Sequence, residues 1–111
     1  MLIEKTVLDY LMDELDTENI FLEMPNELPD EFIVFRIIDR GKTDQINAVT
    51  LEFYSYALTK LKAAELDEKL REAMDNIVIL PEISCHFGGG NDNPDTTIKR
   101  PRYRAYYNLF F

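Results

Sequence analysis

The segment Phe32-Ile33-Val34-Phe35-Arg36-Ile37-Ile38, followed by Ile46-Asn47-Ala48-Val49-Thr50-Leu51-Glu52-Phe53-Tyr54-Ser55-Tyr56, decides how this chain folds. The first stretch is β-branched and aromatic with little alternation, the signature of a strand inside a sheet. The second alternates, with Val49, Leu51 and Phe53 on one face and Thr50, Glu52, Tyr54 and Tyr56 on the other, which reads as a strand with one buried side. Between them Asp39 to Asp44, including Gly41, reads as a turn.

Upstream, residues 2 to 15 have helical period, because Ile3, Val7, Leu11 and Leu15 recur at i+4 while Leu8 and Met12 widen the same face. Ile20-Phe21-Leu22 is a short strand ended by Pro25 and a loop containing Pro29. Downstream, Thr59 to Asn76 predicts a second helix with the stripe Ala63, Leu66, Leu70, Ala73 and Ile77. Its Glu65–Lys69 and Asp67–Arg71 spacings are i,i+4 pairs in the favourable order. Pro81 blocks continuation, Ile83 to Phe87 reads as a strand, Gly88 to Thr97 as a flexible loop, and Tyr103 to Phe111 as the last strand. The order α-β-β-β-α-β-β predicts an α+β domain, residues 1–111, with two helices packed on one face of a mainly antiparallel sheet.

Charge is divided along the chain. Ten acids and one base fall in the first 31 residues, giving that stretch the whole formal charge of -9, while the rest carries 11 of each sign. Asp13, Glu14, Asp16 and Glu18 gather at the end of the first helix, where the negative end of the helix dipole makes each acid unfavourable by about 0.3–1 kcal/mol. Lys99, Arg100, Arg102 and Arg104 cluster near the C-terminus, the three arginines on one face of an extended strand and able to fork onto carboxylates or phosphates. Two readings of each pole stand: the acids as a solvated face or a partner surface, the cations with Pro101 as a guard on an edge strand or a docking row. The overall acidity opposes general attraction to nucleic acid or to anionic membrane.

The chemistry-bearing residues do not assemble into a catalytic set. Cys85 and His86 are the sole cysteine and histidine, and neighbours on a strand point to opposite faces, so a thiol–imidazole dyad and a zinc site both fail. Gly88-Gly89-Gly90 lacks the following helix and GK[ST] signature of a phosphate loop. Asn91, Asp92, Asn93 and Asp95 offer oxygen ligands, yet a Gly/Asn/Asp/Pro run is more often a hairpin tip than a calcium loop. No cofactor is expected. No apolar run reaches the roughly 20 residues of a membrane span, and the start lacks a secretory pattern, so a cytoplasmic protein is expected. Tyr54, Tyr56, Tyr106, Phe110 and Phe111 place much aromatic surface on strands, some of it available for an interface.

The helix IEKTVLDYLMDEL (residues 3–15), the strand EFIVFRI (31–37), the segment SYALTKLKAAELDEKLREAMDNI (55–77) and the closing DTTIKRPRYRAYYNL (95–109) resemble the small tail-terminator or tail-completion proteins of long-tailed bacteriophages and prophages of Gram-positive bacteria. The resemblance covers nearly the whole chain and lies in layout and segment character rather than an invariant motif. It implies a non-enzymatic α+β subunit of a ring, expected to be a hexamer, that caps the tail tube and faces the head–tail connector, in the host cytoplasm during assembly and then in the virion. Its implied partners are copies of itself, the tail tube protein and the connector protein. The family's contact loops would correspond to residues 39–45 and 88–99. The expected interface residues are Asp13, Glu14, Asp16, Glu18, Lys99, Arg100, Arg102, Arg104 and Tyr106. The alternatives are a related head–tail connector or minor capsid protein, and a small nucleic-acid-binding module using residues 99–104 with Tyr103 and Tyr106 as stacking groups.

Overall fold

The computed structural model describes residues 2–81 and 83–111. Two helices, α1 (Ile3–Glu14) and α2 (Lys60–Asp75), accompany five strands: β1 (Ile20–Phe21), β2 (Phe32–Thr43), β3 (Ile46–Tyr56), β4 (Ser84–Asp92) and β5 (Arg102–Phe110). The sheet order is β1-β2-β3-β5-β4, antiparallel throughout except where β1 runs parallel to β2. This is the α+β fold that the hydrophobic pattern predicts, with every expected element present in order.

Alternation sorts each strand between two faces. Ile33, Phe35, Leu51, Phe53, Ala105, Tyr107 and Leu109 share one face with Ile3, Val7 and Leu11 of α1 and Leu70, Ala73 and Met74 of α2, forming one apolar core. Removing a side chain such as Leu11, fully buried in that core, costs about 2–5 kcal/mol in comparable sites. The Tyr10 hydroxyl donates to the Ala73 carbonyl at 2.7 Å and ties the two helices together. Local signals set the helix ends. Thr59 caps α2 by accepting from the Lys62 amide at 3.2 Å. Helix α1 stops where Asp16 turns left-handed (φ 50°) and the Thr17 amide reaches back to the Met12 carbonyl at 3.2 Å.

Three expectations are corrected. Residues 39–43 are strand rather than turn: Gly41 pairs with Ala48, and the reversal is made by Asp44 and Gln45, both left-handed (φ 50° and 70°), as a two-residue hairpin requires. The expected loop from Gly88 is strand as far as Asp92, with a bulge where the register slips between Phe87 and Gly89. Glycine is required there by space. A Cβ on Gly90 would stand 2.7 Å from both the Arg104 carbonyl and Arg71 Nη2, and one on Gly88 2.9 Å from the Tyr106 ring. Finally, β3 is not one-sided, because Glu52 and Tyr56 on its polar face are as buried as its core residues.

Candidate functional site: the open sheet face

Both helices cover the same side of the sheet, so the opposite side is left to side chains alone. Its rows follow from the register: Phe32, Tyr56 and Arg102 in the first, Val34, Tyr54 and Arg104 in the next, then Arg36, Glu52 and Tyr106. Thr50 and Asn108 continue the series, joined by a 2.8 Å hydrogen bond.

Glu52 organises the centre. Arg36 Nε donates to its Oε1 at 2.9 Å, and Arg104 Nε and Nη2 both reach its Oε2, at 2.6 and 2.5 Å. Burial alone would raise this carboxyl, yet the hydrogen bonds from Arg104 and Arg36 outweigh it and hold it below the usual glutamate range. The buried acid thereby fixes two guanidinium groups in position, and Arg104 lies over the Tyr106 ring at 4.5 Å. Two cations around one carboxylate leave this part of the face positive.

Asp95 does the same at one end. Its Oδ2 accepts from the Tyr56 hydroxyl at 2.9 Å and from Arg102 Nη1 at 3.3 Å, while its Oδ1 accepts from the Thr97 and Ile98 amides. Burial pushes its carboxyl up, but the bonds from Tyr56 and the two amides prevail and lower it. Arg102 also donates to the Asn93 carbonyl and stacks over Tyr54 at 4.1 Å. Tyr56 stacks on Phe32 at 4.5 Å and is buried. Arg100 donates through Nη1 to the carbonyls of Pro29 and Asp30, pinning the acidic loop before β2. The β4–β5 connection is therefore a built turn in place of a flexible loop.

The expected interface residues divide by layer. Asp13, Glu14, Asp16 and Glu18 are all exposed on the helical side. Arg102, Arg104 and Tyr106 lie on the open face, with Arg102 and Arg104 engaged by acids of their own chain. Lys99 is exposed in the turn. The guard-strand reading of the cations fails, because β5 lies between β3 and β4 and is not an edge. Tyr103 and Tyr106 fall on opposite faces, paired with Ser55 and Glu52 respectively, so they form no joint stacking platform. Cys85 faces the helices beside Leu109, and burial raises its thiol to about 11; His86 faces the other way, edge-on to Phe110 at 5.8 Å. Asp92 pairs with Lys60 at 2.8 Å, and Asp95 is held by Tyr56 and Arg102. Among the described residues, no group of three or more His, Cys, Asp or Glu is placed to hold a metal, and no helix is long and apolar enough to cross a membrane.

The organising acids were the residues that sequence reasoning missed. A lone glutamate between Leu51 and Phe53 was a signal for Glu52, and the Asn-Pro-Asp-Thr-Thr run was a signal for Asp95 as the anchor of an Asx turn. A second feature extends beyond the face: every residue from Ile38 to Asn47 is exposed, so the tip of the β2–β3 hairpin is an arm. Compared with known protein families and characterised sequences, the chain matches none of the family models and none of the characterised proteins.

Proposed function

We propose that the chain is a non-enzymatic assembly protein of the tail-terminator kind, a subunit of a ring that caps a phage tail tube and joins it to the head connector. The observation that carries this reading is the uncovered sheet face of fixed arginines and tyrosines, continuous with a two-stranded arm. Tyrosine and arginine are the residues that dominate protein interfaces, and rigid side chains lose little freedom on docking. An isolated two-stranded ribbon is marginally stable in water, so the arm, with Ile38 and Ile46 exposed, gains from a neighbour. The acidic helix end and the arginine rows occupy opposite layers of one molecule, the arrangement that a heterologous, ring-closing contact uses. On this reading the partners are copies of the chain, taken as six, the tube protein and the connector. Its place is the bacterial host cytoplasm during assembly and the head–tail junction afterwards.

Electron microscopy of the purified protein, alone and mixed with tail tube protein, tests the proposal. Rings seated on tube ends support it. Bare tubes that elongate unchecked in the presence of the protein overturn it, and binding to connector particles in place of tubes assigns the related connector role.

A further inference from the structure

Where the β4–β5 turn meets the start of α2, a pocket of about 530 Å³ is lined by Lys60, Pro94, Thr96, Lys99, Arg100 and Pro101, together with Asp92 and Asp95. We propose that this pocket binds a glutamate-bearing segment of a partner protein. Both acids in it are already engaged, Asp92 by Lys60 at 2.8 Å and Asp95 by Tyr56 and Arg102. With Lys60 spent on Asp92 and Arg102 on Asp95, Lys99 and Arg100 are left as the surplus of positive charge in a chain whose net charge is -9, and Arg100 is already turned toward the Pro29 and Asp30 carbonyls. Lys99 makes no ion pair among the described residues.

The backbone under Lys99 adds an independent reason. Its φ is 54°, a left-handed conformation that glycine or asparagine adopts at lower cost than a long side chain. The turn is held there by the Asp95 hydrogen bonds and by the paired Asp95 and Arg100 amides, at 2.9 and 3.1 Å. A cation is thus kept at the pocket at the expense of local stability. The Pro94 and Pro101 rings offer apolar walls for an aliphatic stem, and the Lys99 ammonium offers donors for a carboxylate. A glutamate side chain has both parts. Inorganic phosphate has no apolar part to lay on the rings. The site holds whether or not copies of the chain associate, so it goes beyond the assembly reading.

The test is a titration of the isotope-labelled full chain with acetylated tetraglutamate, followed by amide chemical shifts. Tetraglutamine, glutarate and inorganic phosphate serve as comparison ligands. Saturable shifts at Lys60, Lys99 and Arg100 are expected with tetraglutamate, with weaker binding of glutarate and none of tetraglutamine. Binding is expected to fall more than about tenfold with Lys99→Glu, and to disappear at about 1 M salt, where the screening length is about 3 Å. Lys99→Asn is expected to melt at a higher temperature than the parent while losing the same binding, which separates the charge from the fold. Absence of saturable shifts overturns the proposal. So does phosphate or glutarate binding as tightly as the peptide, since the pocket is then a small-anion site, and so does unchanged binding in a folded Lys99→Asn chain.

Discussion

Replacing Glu52 by glutamine removes the charge that holds two arginines on the open face, and the structure sets how much this should cost. Glu52 is 2% exposed, and its Oε2 carries both Arg104 contacts, with Arg104 itself 28% exposed at its side chain. Breaking a fully buried pair costs about 3–5 kcal/mol. Arg36, however, is 65% exposed, so water replaces much of what it loses, as for surface pairs worth about 0–1 kcal/mol. The expected loss is therefore about 2–3 kcal/mol, lowering the melting temperature by about 10–15 °C in a domain of this size. Urea unfolding followed by circular dichroism measures it. In double-mutant cycles, Glu52 should couple to Arg104 by about 1.5–2 kcal/mol and to Arg36 by less than about 1 kcal/mol. The pH dependence has a definite sign. A carboxyl whose folded pKa is depressed contributes stability that is complete above its unfolded value and lost as pH falls through the folded one, so the Glu52→Gln penalty should shrink on acidification below the usual glutamate range. A penalty below about 0.5 kcal/mol at neutral pH, or stronger coupling to Arg36 than to Arg104, would refute the reasoning.

Asp67 should behave in the opposite sense. It is buried on α2 beside Arg71 at 3.0 Å, and desolvation raises its carboxyl despite that partner. The folded state therefore favours its neutral form, and Asp67→Asn at pH 7 should leave stability unchanged or raise it by about 1 kcal/mol in urea unfolding. Gly90→Ala should cost about 1–3 kcal/mol, because its Cβ meets the Arg104 carbonyl, whereas Gly41→Ala, with nothing within 4 Å, should change thermal stability by less than about 0.5 kcal/mol. Gln45→Gly should raise the melting temperature, since it relieves a left-handed side-chain position worth about 1 kcal/mol.

What was legible in the sequence was whatever depends on periodicity. The i+4 stripe of α1, the alternation of β3 and β5 and the Thr59 to Asn76 span of α2 each reflect one face meeting one core. What was not legible depended on contacts between distant segments. Gly41 and Gly88-Gly89-Gly90 look like turn and loop residues in isolation. The former is a ladder residue, and the latter allow β4 to approach Tyr106 and Arg71, which no local pattern records. The same holds for the candidate surface. Arg102 and Arg104 were visible as a row, but their acids, Asp95 and Glu52, come from the turn before β5 and from the neighbouring strand. Pairing across the sheet turned a free basic stripe into a fixed one, with Arg102 matched by Asp95 and Arg104 sharing Glu52 with Arg36.

Cryo-electron microscopy of a capped tail tube tests the central proposal most directly, by showing which surface of the subunit is covered. The expected result is a ring in which Arg36, Tyr54 and Tyr106 and the arm from Ile38 to Asn47 lie under a neighbouring subunit or the tube. A ring that leaves this face and the arm in solvent, or tubes that carry no ring at all, would contradict it.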